Sequence, residues 1–190
     1  MLKINSSLAT FIIFLFLGCS NNSDILLTEK AGAPLLNGLG KHSHKISSSV
    51  DGVQRYFDQG LIMAFAFNHA ESIRSFKAAQ RLDPSCAMCF WGEALALGPN
   101  INVNSDGKVI MAPQNRVAAF KAINTAIALS KSSSPKEQAY ISALATRYDG
   151  NTNTDREPLD IAYANAMEAL SQKYPEDNDA ASLFAEALMN

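Results

Sequence analysis

Apolar residues recur every three or four positions over long stretches of this chain, the period of a helix with one buried face. Short clusters of Pro, Asp, Asn, Ser and Gly separate those stretches, and these residues cap or stop helices. The first stretch, DGVQRYFDQGLIMAFAF, runs up to Asn68. Asn68 is placed to cap a second helix, HAESIRSFKAAQRL, with Glu71 where a capping box requires an acid. Asp83-Pro84 ends that helix, because the residue before a proline is pushed out of helical geometry. A second pair, CAMCFWGEALAL and QNRVAAFKAINTAIAL, spans about Cys86 to Ser130 around the long connection GPNINVNSDGKVIMAP. A third opens on Ser134-Pro135-Lys136-Glu137, with a serine cap, a first-turn proline and an acid behind it. It reaches Tyr148, breaks at DGNTNTD, resumes near Arg156 and closes at Tyr174-Pro175. A last helix is predicted with Asn178 or Asp179 as its cap and Leu183, Phe184, Leu188 and Met189 as its apolar stripe.

One local frame returns within these helices. It reads Tyr56-x2-Gln59-Gly60-x2-Met63, then Phe90-x2-Glu93-Ala94-x2-Leu97, Ile141-x2-Leu144-Ala145-x2-Tyr148 and Ala181-x2-Phe184-Ala185-x2-Leu188. Gly60 and Ala94 are 34 residues apart, whereas the next separations are 51 and 40, so the later pairs carry insertions. Long loops in a regular array tend to carry function. The pattern resembles the tetratricopeptide repeat, with Gly60, Phe76, Ala79 and Pro84 in signature places. Tyr56, Gln59, Met63 and Ser72 depart from the usual Trp, Leu, Tyr and Ala. The stretch FNHAESIRSFKAAQRLDPSCAMCFWGEALALGPNIN further resembles a family of exported bacterial tetratricopeptide-repeat proteins, over roughly Lys41 to Asn190. The resemblance implies an all-α, right-handed superhelix over residues 50–190, about three helix pairs plus an unfinished fourth. It implies export, and it carries no activity with it.

The first helix has a second apolar stripe beside the usual one. Tyr56, Gly60, Met63 and Phe67 follow one line; Phe57, Leu61, Ala64 and Phe65 follow the next, and Trp91 and Leu95 continue it in the second pair. A helix apolar nearly all round is either buried all round or binds something. Resemblance to tetratricopeptide repeats makes Phe57, Leu61, Phe65, Trp91 and Leu95 the lining of a groove for a protein or peptide partner. The alternative is that the Ile25–Leu39 segment or the long loop covers the stripe.

The ends of the chain bear on location. Lys3 followed by the apolar run Leu8–Leu17 fits a secretion signal and is too short to span a bilayer as a helix. The run ends in Phe16-Leu17-Gly18-Cys19, which looks like a bacterial lipoprotein signal. Residues 1–18 are therefore read as a signal peptide, and an acylated Cys19 as a lipid anchor on a membrane facing the periplasm. Residues 19–49, rich in Ser, Asn, Gly and Lys, are read as a flexible tether. Loss of residues 1–18 removes one lysine and no acid, taking the formal charge from −2 to −3. No basic stripe argues for nucleic acid. The unrelieved apolar stripe near Asn190 points to an N-terminal fragment of a longer protein, for which this segment would be a scaffold or an enzyme's docking arm.

Chemistry-bearing residues are few. Cys86 and Cys89 lie three apart at a helix start, where they suit a disulfide, buried thiols, a reactive thiolate or metal ligation. Phe90 stands where a haem-attachment motif needs histidine, so covalent haem is not expected. With His69, or with His42 and His44, the cysteines form a candidate thiolate–imidazole zinc set; otherwise no cofactor is expected. The sequence holds no GxSxG, phosphate-cradling glycine loop or HExxH, and Asp58 and Glu93 read as paired or solvated acids. The chain is accordingly read as a binding protein rather than an enzyme.

Overall fold

The structure, a computed structural model, describes residues 22–105 and 108–190; the apolar leader and Cys19 lie outside the described residues. The all-α expectation holds. Helix α1 (Asn22–Ala31) precedes α2 (Val53–Phe65), α3 (His69–Leu82), α4 (Ala87–Leu97), α5 (Pro113–Leu129), α6 (Pro135–Ala145), α7 (Glu157–Lys173) and α8 (Asn178–Ala187). The long α4–α5 connection carries a small antiparallel ribbon, β1 (Asn104–Ser105) against β2 (Lys108–Val109). Each helix from α2 onward packs on the next, and α2, α4 and α6 also touch in turn. Among the described residues no helix is long and apolar enough to cross a membrane.

Local signals set the helix ends. Ser134 and Glu137 complete a reciprocal capping box on α6. Asn68 accepts from the Glu71 N–H on α3, but the expected return bond is not made, because the Glu71 carboxylate pairs with Arg74 instead. Asp177 caps α8, one residue before the expected Asn178 or Asp179. That shift frees the Asp179 side chain for other contacts. Helix α2 ends in a Schellman-type turn, with Asn68 N–H bonded to Met63 O and Phe67 N–H to Ala64 O. Phe67 occupies the left-handed position of that turn, at φ 58°, where glycine is usual.

Phe76 is the pivot of the core. It projects from α3 between Gly60 on α2 and Gly92 on α4; a Cβ would fall 2.9 Å from the ring at Gly60 and 2.2 Å at Gly92. The glycine of the repeated frame thus admits an aromatic ring from the next helix. Ala185, in the same frame, is exposed, because no other helix packs on that side of α8. From Phe76 an aromatic seam crosses the array: Phe57 lies edge-on to Phe76 at 5.4 Å and stacked near Trp91 at 6.3 Å, and Trp91 meets Tyr140 at 5.5 Å. The Trp91 Nε1 donates to the Tyr140 carbonyl and the Tyr148 hydroxyl to the Ala94 carbonyl, which joins α4 to α6. Arg147 is buried over the Tyr163 ring and within reach of Asp160 and Glu186, tying α6 to α7 and α8.

An added methyl at Gly92 has nowhere to go. Gly92→Ala is expected to lower stability by about 1–3 kcal/mol through overpacking. Gly60→Ala is expected to cost less, since its clash is milder and alanine favours the helix by about 1 kcal/mol. Thermal denaturation of the two variants checks the order, and an unchanged midpoint for Gly92→Ala would contradict the packing.

Candidate functional site

Residues 33–50 form an extended strap along α2, past the end of α3 and onto α6. An extended strand outside a sheet needs partners for its backbone polar groups. Here helix side chains supply them. Tyr56 donates to Ala33 O, and Gln59 both accepts from Leu36 N–H and donates to Pro34 O. Asp58 accepts from the Ser43 hydroxyl and His44 N–H; Gln54 accepts from Ile46 N–H and donates to His44 O. Glu137 accepts from the Ser47 backbone and hydroxyl, and Asp83 from the Ser48 hydroxyl. Next to the strap, Arg81 donates to Ala31 O and an Asp24–Arg55 ion pair holds α1. The expectation of a flexible tether therefore gives way, over residues 22–49, to a docked segment.

The strap closes the stripe read as an open groove. The His44 ring, 4% exposed, packs 5.1 Å from Tyr140 and 6.1 Å from Phe57. Phe57, Leu61 and Trp91 are buried in the core and offer no surface to a partner. The cover comes from residues 42–48; the 31–36 part of the Ile25–Leu39 segment closes over Tyr56 and Gln59 instead. Of the five groove residues, only Phe65 and Leu95 line an open cavity.

That cavity is a cleft of about 200 Å³ between the C-terminal ends of α2 and α4 and one face of α8. Phe65, Phe67, Leu95, Leu183 and Met189 form its apolar walls, with His69, Asn100, Ser182 and Glu186 as polar members. Phe67, 48% exposed, is held at the rim by its left-handed backbone, edge-on to His69 at 6.2 Å. Burial holds the His69 imidazole below its ordinary value of 6.5, against the pull of the Ala96 carbonyl and Glu186. The ring is thus uncharged at neutral pH. Its two nitrogens are buried without well-formed hydrogen bonds, as is one oxygen of Glu186. A left-handed phenylalanine and unmet polar atoms thus fall together in one apolar cleft, which makes it the candidate binding site.

The thiolate–imidazole zinc set is not assembled. Cys86 and Cys89 are joined to each other by a disulfide at the start of α4. This agrees with the disulfide alternative and removes both thiolates as ligands. His69 sits in the apolar cleft, and His42 and His44 lie in the strap facing Asp179 rather than any sulfur. Asp58 and Glu93 are paired acids, Glu93 with Lys77 and Gln80.

Several residues that matter escape a reading by helical period. Glu137 looks like a capping acid and is one, yet its carboxylate also anchors the strap. Gln54, Gln59 and Asp83 serve strap atoms remote in sequence. Their only signal is a polar residue at an inward position of an apolar helix, as Gln59 is where the repeat has leucine. Burial raises the Glu137 carboxyl, but hydrogen bonds from Ser47 and Ser134 outweigh it and hold the group below its usual 4.5. Asp83 follows the same balance, with Ser48 and Ser85 as donors, and stays below 3.8.

Truncating Trp91 to alanine is expected to cost about 3–5 kcal/mol of stability, because the ring is a fully enclosed core element. Denaturant unfolding measures this, and a near-native midpoint would return the ring to the surface. A carboxyl whose pKa is lowered by folding stabilises above its unfolded pKa and ceases to as pH falls through the folded value. The Glu137 and Asp83 anchors are therefore intact at neutral pH and weaken below about pH 4. Hydrogen exchange, corrected for intrinsic rate, should show residues 44–50 losing protection in acid before α3 does. Equal loss in both segments would contradict anchoring by these carboxylates.

Comparisons of the chain with protein-family models, with curated proteins and with solved structures return no match.

Proposed function

We propose that this protein is a binding scaffold of tetratricopeptide-like helix pairs that captures a partner peptide in the cleft between α2, α4 and α8. The observation that carries this reading is the cleft itself: apolar walls, an exposed left-handed phenylalanine and unmet polar atoms of His69 and Glu186. Its volume suits one large apolar side chain. A neighbouring N–H or cationic group on the same peptide would satisfy Glu186 and the lone pair of a neutral His69. The 34-residue spacing of Gly60 and Ala94 and the stepwise packing of α2 to α8 support the repeat reading. The groove residues Phe57, Leu61 and Trp91 leave the contact surface in this reading, and Phe65 and Leu95 stay in it.

In the same reading the scaffold is exported and held on a membrane by acylated Cys19. The disulfide between Cys86 and Cys89 is compatible with an oxidising compartment. Docked against the helices, residues 22–49 are not a long leash, so the array would sit close to the lipid surface.

Random-peptide display against the full-length folded chain tests the cleft. Enriched peptides should share an aromatic or aliphatic anchor beside a donor or cationic residue. Phe67→Gly relieves the left-handed backbone and removes the rim ring, so it should keep or raise stability while weakening peptide binding about ten-fold, or about 1.4 kcal/mol. Met189→Glu, at an exposed wall position, should weaken binding likewise. Enriched peptides that bind both variants as tightly as the parent would refute the cleft as the site.

A further inference from the structure

A second constellation lies where the strap meets the start of α8. His42 Nε2 is 3.0 Å from one oxygen of Asp179, and His44 Nδ1 is 2.7 Å from the other. Donor atoms of His44, Asp177 and Asp179 all lie within 4.8 Å of one another. These residues line an open pocket with Lys45, Lys136 and Lys173. Sequence spacing alone does not reveal the grouping, since His44 and Asp179 are 135 residues apart.

We propose that His44, Asp177 and Asp179, whose donor atoms already lie together, with His42 as a fourth ligand from the rim, bind a divalent first-row transition ion that clamps the strap to α8. Four observations carry this. The His-x-His pair lies on an extended segment, where alternate side chains share a face. The segment is held in place by Asp58 and Gln54 on the backbone atoms of His44, the outer support that orients a ligating histidine. Donors about 2.0–2.1 Å from a common ion lie about 2.9 Å apart when adjacent in an octahedron and about 3.4 Å in a tetrahedron. His42 and His44 meet different oxygens of Asp179, at 3.0 and 2.7 Å, and single donor atoms of His44, Asp177 and Asp179 lie within 4.8 Å of one another, so a small closing movement brings them to either spacing.

Charge supplies the fourth. The Asp177 carboxylate has a counter-ion in Lys136, 2.6 Å away. Asp179 is buried, and among the described residues its ion-pair partners are the two imidazoles alone. His44 is buried too, with its Nδ1 turned to Asp179. Two imidazoles with one or two carboxylates form a donor set suited to zinc and its neighbours, and unlike the all-oxygen cages of calcium and magnesium. The coordination joins residue 42 to residue 179 and so locks down the strap that seals the aromatic seam. It does not rest on peptide capture at the cleft, although the His42 ring lies edge-on to Phe65, a wall of that cleft, at 6.0 Å.

The test is calorimetric titration of zinc chloride into untagged full-length protein previously dialysed against chelator, with magnesium as the control cation. One equivalent of zinc should bind and raise the thermal midpoint, and magnesium should do neither. His42→Gln, a half-exposed position whose change leaves the core intact, should weaken zinc at least about ten-fold, and Asp179→Asn at least as much. Circular dichroism confirms that each variant is folded; if Asp179→Asn unfolds, His42→Gln decides the matter alone. Absence of saturable zinc binding overturns the proposal. So does one tight equivalent that folded His42→Gln retains undiminished, since the ion would then lie elsewhere.

Discussion

The strap depends on one constraint: a stretch of chain that belongs to neither helix nor sheet must still have its backbone polar groups bonded where water is excluded. Residues 33–50 meet it by borrowing side chains. Tyr56, Gln59, Asp58 and Gln54 reach out from α2, Asp83 from the end of α3 and Glu137 from α6. Each such bond adds only about 1 kcal/mol net, but leaving the buried partner unmet costs about as much or more. The strap and the three inner helices therefore specify one another. With the strap in place, the seam of Phe57, Trp91 and Tyr140 is core; without it, the same rings would be a sticky groove.

That division separates stability from binding within a single helix. The N-terminal half of α2 faces the strap and is closed. At its C-terminal end Phe65 meets the strap's His42 ring at 6.0 Å on one side and, with Phe67, lines the cleft on the other. The Schellman turn at this end takes phenylalanine where glycine would be the relaxed choice. Placing an aromatic ring at a left-handed position costs backbone energy, on the order of 1–2 kcal/mol. The surrounding array is rigid enough to sustain that cost at the rim of the cleft. His69, next in line after the Asn68 cap, owes its position to the same turn.

The disulfide and the buried arginine show two further ways in which the array is held. Cys86 and Cys89 bind the first turn of α4 to its own cap, a local tie between residues already close in the chain. Arg147 is long-range: it draws carboxylates of α7 and α8 onto the C-terminal end of α6. A buried guanidinium unpaired would be strongly destabilising, so these helices must assemble around it in one arrangement.

Helical period, capping residues and proline stops were sufficient for α2 to α8 and nearly all of their ends, whereas α1 lies in the stretch read as a tether. These depend on interactions within a few residues, which a linear pattern records. The pairing of α2 with α3 and the need for glycine at position 60 were legible for the same reason, through the repeated frame. Gly92, the Asp177 cap and the docked strap were not. Whether Phe57 and Trp91 line a groove or a core depends on whether distant, polar-looking residues 42–48 lie over them. Hydropathy reads those residues as solvated linker, because it cannot register Gln54, Asp58 and Glu137 waiting to bond them. The meeting of His42 and His44 with Asp179 likewise has no local signature. It exists only because the packed helices bring the start of α8 to the strap, and that proximity is a property of the packed fold.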